Sequence, residues 1–183
     1  MRIFNMRHLN VKLLLICGLL LSGCTFGFDP NATLAPGSVS TGSGGVTSGD
    51  TATVTRIVDG DTIHVNLNGQ DYTIRYVGMN TPESSEPCFQ AATEANRLLV
   101  EGKTVRLVKD TSEADQYGRL LRYVYVGDLF VNAALVQQGY AEAVLYPPDG
   151  AQWENFKRLE AEARAANRGC HPTGIFNDGS DTR

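Results

Sequence analysis

Four side chains, two carboxylates and two guanidiniums, are spaced along the chain in an order that suits chemistry on an anionic ester. Asp61 stands in Val58-Asp59-Gly60-Asp61-Thr62, Arg75 in Ile74-Arg75-Tyr76, Glu83 in Asn80-Thr81-Pro82-Glu83, and Arg119 in Asp115-Gln116-Tyr117-Gly118-Arg119. A phosphodiester is negatively charged and repels a nucleophile, and its five-coordinate transition state carries more charge still. Two guanidiniums can hold the equatorial oxygens through forked hydrogen bonds that strengthen as this charge develops. Arginine keeps its proton, so neither is suited to be a general acid. A hard divalent cation on oxygen ligands can serve as Lewis acid, and a carboxylate beside it can take the proton of an attacking water. Pro82 fixes its own φ and pushes Thr81 extended, holding the Thr81 carbonyl and Glu83 in one loop.

Each of these groups also has a purely structural reading. Asp59-Gly60 is a hairpin turn, Thr81-Pro82-Glu83 a helix start with Thr81 as N-cap, and the arginines solvated charges. The cap and the functional reading of Thr81 are compatible. Other chemistries have less support: His64 and His171 lack short-range partners, and no Gly-x-Ser-x-Gly sequence occurs.

The elements that must position these groups follow from pattern. Arg2, Arg7 and Lys12 precede or enter an apolar run over 11–21 that ends in Ser22-Gly23-Cys24. A charged start, a short apolar stretch and a small-residue cleavage site predict a signal peptide over 1–23. Leu21-Ser22-Gly23-Cys24 resembles the lipobox of bacterial lipoproteins, which makes Cys24 the expected lipidated first residue of an exported, membrane-anchored chain. Loss of those three basic residues from 16 leaves 13 against 20 acidic groups, a formal charge of −7. No broad basic surface of the kind that binds nucleic acid by counterion release remains, so phosphate contacts must be local. With Cys17 in the leader and Cys24 lipidated, Cys88 and Cys170 are expected to form a disulfide. A metal site on Cys88, Cys170 and His171 lacks a fourth ligand and a Cys-x-x-Cys spacing.

Between residues 25 and 50, 16 of 26 residues are Gly, Ser, Thr or Pro and none is basic, which predicts a flexible tether from 24 to 50. Strands are expected over 51–58, 62–67, 72–77, 103–109 and 120–126, with turns at Asp59-Gly60 and Asn68-Gly69. Helices are expected over 90–100, with Ala91, Ala95, Leu98 and Leu99 on one face, over 131–138, and over 152–167 with Trp153, Phe156 and Ala163 on one stripe. Five strands and about three helices make an α+β domain, mainly β, over 51–176. Its expected architecture is a five-stranded Greek-key β-barrel of the OB type, with a tail over 177–183.

The collinear motifs VDGDT (58–62), IRYVGMNTPE (74–83), DQYGRLLRYVYV (115–126) and DLFVNAALVQQGYA (128–141), with the C-terminal amphipathic helix, resemble the staphylococcal nuclease, or thermonuclease, family. The resemblance spans about residues 51–167. It implies an OB barrel and calcium-dependent hydrolysis of DNA and RNA with little sequence preference, by a monomer holding one Ca²⁺. By the same resemblance, Asp61, Asn80 and the Thr81 carbonyl are the metal ligands, and Glu83 is the general base or water-positioning carboxylate. Arg75 and Arg119 grip the scissile phosphate, and products carry 3′-phosphate ends. Two family tyrosines that bind the base and terminal phosphate are matched only in part, by Tyr117 and Tyr146. Asn80 stands where the family commonly has aspartate, keeping an oxygen donor but one negative charge short, so Asn80→Asp is expected to tighten calcium binding. The competing reading is a noncatalytic OB-type module at the cell surface that binds nucleic acid or protein.

Overall fold

Among the described residues, eight strands and three helices follow one another in the order β1 (Asp50–Ile57), β2 (Thr62–Leu67), β3 (Gln70–Tyr76), β4 (Met79–Asn80), α1 (Phe89–Val100), β5 (Thr104–Val108), β6 (Leu120–Val126), β7 (Leu129–Phe130), α2 (Val131–Gln137), β8 (Glu142–Ala143) and α3 (Trp153–Ala165). The structure is a computed structural model and describes residues 49–177 and 179. The expected signal peptide, Cys24, the tether as far as residue 48 and most of the tail lie outside the described residues.

Strands β3-β2-β1-β5-β6 lie side by side, and the parallel pairing of β3 with β6 closes them into a five-stranded barrel of the OB type. The short β7 extends the sheet from β6. Alternation along the strands sends Val54, Ile63, Val65, Ile74, Tyr76, Val105, Leu107 and Val124 inward, each no more than 3% exposed. In β1 a register shift between Val54 and Arg56 lets Ile57 follow Val54 into the core three residues later. Asn68-Gly69 forms a two-residue turn with φ of 54° and 86°, the positive values that a type I′ hairpin requires. Helix α2 and Phe156 and Leu159 of α3 close over the barrel; the buried Asn132 side chain accepts from Val124 N and donates to Val77 O, tying α2 to two core segments.

Three local readings change. No helix starts at Thr81: residues 81–83 belong to no regular element and α1 begins at Phe89, after Cys88 with φ of 73°. The Thr81 amide and hydroxyl both donate to Asp61, twenty residues upstream, so the side chain that would cap a helix is turned to the Asp61 carboxylate instead. The buried face of α1 is Ala92, Ala95, Asn96 and Val100, while Leu98 is 70% exposed. Asn96 turns inward because it accepts a hydrogen bond from the Tyr76 hydroxyl and donates to the Asp59 carbonyl. The third change is the short β4–β8 pair, which no periodicity announced. The Cys88–Cys170 disulfide is present, with Cα atoms 5.7 Å apart, and joins the loop before α1 to the 3₁₀ turn His171–Thr173.

Candidate active site

Strand pairing alone gathers the chemical groups. Thr62 pairs with Arg75 between β2 and β3, so Asp61 lies beside Tyr76 and accepts the Tyr76 amide on its carbonyl at 2.8 Å. Leu121 pairs with Arg75 between β6 and β3, which brings Arg119, two residues earlier, to the same end of the barrel. Asn80 pairs with Glu142 between β4 and β8.

The buried Asp61 carboxylate organises the first group. Its Oδ2 accepts from Thr81 N and Thr81 Oγ1, both at 2.9 Å, its Oδ1 accepts from Thr62 Oγ1 at 3.1 Å, and Arg75 Nη1 stands 3.3 Å from Oδ2. Gly60 makes room for this contact: a Cβ there would lie 2.7 Å from Thr81 Oγ1 and 2.8 Å from Thr81 Cβ. Asp59 accepts the Asp61 amide, and burial together with the Asp61 charge pushes its carboxyl up to about 6.

Arg75 is 8% exposed and largely committed to the protein. Nη1 donates to Tyr76 O at 2.7 Å and Met79 O at 3.0 Å, and Nη2 donates to Asn80 Oδ1 at 3.0 Å. One Nη2 hydrogen and Nε–H are left for a ligand. Asn80 in turn donates from Nδ2 to Glu142 Oε1 at 3.1 Å.

Arg119 is held differently. Its Nε and backbone N donate to the two oxygens of Asp115 at 2.6 and 3.0 Å, and Tyr117 N donates to the same carboxylate at 2.9 Å. Burial opposes the Asp115 charge, but these bonds outweigh it and hold the carboxyl below its ordinary range. Among the described residues no hydrogen bond takes the terminal nitrogens of Arg119, which leaves them for a ligand. Asp149 braces the preceding segment by accepting Thr111 N and Ser112 N at 2.8 and 2.7 Å.

Arg75, Arg119, Tyr117 and Tyr146 line one cleft of about 440 Å³, together with Asp115 and Asp149 among others. Tyr117 is 75% exposed, and the Arg119 guanidinium carbon lies 5.5 Å from its ring centroid. Asp61, Asn80 and Thr81 do not line this cleft but are joined to it through Arg75. Glu83 stands apart, on the exposed loop two residues beyond Thr81. Its amide donates to Glu86 Oε2, and its carboxylate has no hydrogen bond or ion pair among the described residues. Five side chains were not singled out from sequence: Asp59, Asn96, Asp115, Glu142 and Asp149. Of these Asp59 and Asp115 left a local signal, a carboxylate two residues before an amide that it accepts.

The donor set tests the implied metal. Asp61, Asn80 and the Thr81 carbonyl offer hard oxygens only, on two segments that the Asp61–Thr81 bonds hold together. Among the described residues no three His, Cys, Asp or Glu side chains converge. Such a set fits a single oxygen-loving cation that keeps several waters, and it does not fit zinc.

Residues 73–170 match the family described as Staphylococcal nuclease homologue. The chain is 37% identical over 122 residues to the thermonuclease of Staphylococcus intermedius, covering 63% of this chain and 73% of that protein. It is 32% identical over 117 residues to the thermonuclease of Staphylococcus hyicus, covering 61% and 69%. With the SPbeta prophage-derived endonuclease YokF of Bacillus subtilis it shares 40% identity over 121 residues, covering 62% of this chain and 41% of that longer relative.

Proposed function

The chain belongs to the family of staphylococcal nuclease homologues and is a phosphodiester-hydrolysing nuclease, and from that premise we propose that it cleaves both DNA and RNA with little sequence preference, using one calcium ion. The observation that carries this reading is the double engagement of Arg75. One guanidinium faces the cleft and also binds Asp61 and Asn80, so a phosphate in the cleft lies next to the oxygens that would hold the ion.

Asp61, Asn80 and the Thr81 carbonyl would hold the calcium, which supplies Lewis-acid polarisation of a phosphate oxygen. Arg119 offers its two terminal nitrogens, and Arg75 its remaining N–H groups, to the equatorial oxygens, so both gain strength as charge builds there. Glu83 takes the proton of the attacking water. The water oxygen bonds to phosphorus as the P–O5′ bond breaks, leaving a 3′-phosphate, and the departing O5′ takes a proton from solvent to become a 5′-hydroxyl. Asp115 fixes the direction of the Arg119 guanidinium and keeps Tyr117 beside it. Tyr117 and Tyr146, on the cleft wall, suit sequence-tolerant stacking against bases. The charged leader and the lipobox-like Leu21-Ser22-Gly23-Cys24 support export and a lipid anchor at Cys24, with the enzyme acting as a monomer outside the cytoplasm.

The test is cleavage of plasmid DNA, circular single-stranded DNA and an unstructured RNA, each with calcium and with EDTA. All three substrates should be degraded with calcium and none with EDTA, and a circular substrate should be opened. Undiminished cleavage in EDTA, or failure on RNA, would overturn the ion or the substrate range respectively.

A further inference from the structure

Glu142 is a buried carboxylate, 3% exposed, that the mechanism above does not use. It pairs in register with Asn80 across β4 and β8, and its Oε1 accepts from Asn80 Nδ2 at 3.1 Å. On the other side of the same amide, Arg75 Nη2 donates to Asn80 Oδ1 at 3.0 Å. Only one orientation of the amide satisfies both neighbours. Flipped, its NH₂ would meet a guanidinium and its carbonyl a carboxylate. Glu142 and Arg75 therefore lock Oδ1 toward the Asp61 side of the site, where its second lone pair can face a cation. A hydrogen bond from Nδ2 to a carboxylate also draws negative charge onto Oδ1.

We propose that Glu142 supplies, through Asn80, the second negative charge of the cation site. It is a positioning residue: the charge lies one side chain behind the ligand. The proposal deepens the calcium reading and rests on it. It also qualifies the expectation for Asn80→Asp, since a carboxylate at position 80 would face the Glu142 carboxylate in a buried place and destabilise the ion-free protein.

Calcium titration calorimetry without nucleic acid and melting in EDTA, on the full chain, test this. Glu142→Gln keeps an oxygen that can accept from Asn80 but removes the charge. It should weaken calcium binding about fivefold or more, and its melting in EDTA shows whether the fold is kept. Asn80→Asp should melt lower in EDTA. The double variant Asn80→Asp with Glu142→Gln should recover that melting temperature and bind calcium at least as tightly as the wild type. A purely structural Glu142 predicts that Glu142→Gln binds calcium within about twofold of wild type, and that result overturns the proposal. If Glu142→Gln does not fold, the double variant decides, because weaker calcium binding than wild type overturns the proposal equally. Asp61→Asn separates the two levels. Loss of binding in Asp61→Asn with none in Glu142→Gln removes only the role of Glu142. Equal or absent binding in wild type and Asp61→Asn removes the calcium reading and the proposal with it.

Discussion

Replacing Arg119 by alanine is expected to lower kcat by about 100-fold or more while the protein stays folded. The guanidinium is partly exposed, and its contribution grows with the charge of the transition state. After truncation Asp115 still accepts the amides of Tyr117 and residue 119, so the turn that presents the cleft wall survives. The lost ion pair, at the protein surface, costs at most about 1 kcal/mol. Arg75→Ala has a different expected outcome. It removes the donor to Tyr76 O, Met79 O and Asn80 Oδ1 and strands the buried Asp61 carboxylate. Breaking a buried pair in this way costs about 3 to 5 kcal/mol, so activity and stability should fall together. Measuring kcat beside thermal melting for both variants checks the contrast. Near-wild-type turnover by folded Arg119→Ala contradicts the role assigned to it.

The Cys88–Cys170 bridge is expected to be among the largest single contributions to stability. Its partners are 82 residues apart, and closing a loop of that length in the unfolded chain is worth about 4.5 kcal/mol on the chain-entropy estimate. The bridge fastens the C-terminal turn to the start of α1, and the small cluster of Ala92, Cys170 and Phe176 packs around it. A Cys88→Ser, Cys170→Ser protein should therefore unfold at markedly lower denaturant, and the oxidised protein should show no free thiol at these positions. A denaturation midpoint unchanged by the double substitution would assign the stability elsewhere.

Much of the barrel was legible because its signals are local. Asn68-Gly69 demands positive φ at two successive residues, and alternation in β2 and β3 then sets which side chains fill the core. The errors fall where a distant residue outbids a local rule. Thr81-Pro82-Glu83 satisfies the chemistry of a helix start, yet Asp61 takes the Thr81 amide and hydroxyl. On α1 the apolar spacing points outward to Leu98, whereas Tyr76 and the Asp59 loop draw the polar Asn96 inside. Asp61, Arg75 and Arg119, which strand pairing brings to one end of the barrel, could be picked out by type and order. Their supports could not: Glu142 and Asp149 find their partners only through the β4–β8 pair and the Thr111-Ser112 segment. Two-residue strands carry no period, so β4 and β8 leave no trace in the pattern.

In the proposed hydrolytic centre Glu83 acts together with the Asp61 oxygens and the arginine-lined cleft, although it stands outside the cleft lining. Single-turnover cleavage of single-stranded DNA by Glu83→Gln, at saturating calcium and enzyme, tests it most directly. The glutamine keeps the size and polarity of an exposed side chain and removes its capacity to take a proton. The expected result is a cleavage rate lower by about 100-fold or more with unchanged substrate affinity. A wild-type cleavage rate from Glu83→Gln would take Glu83 out of the hydrolytic centre.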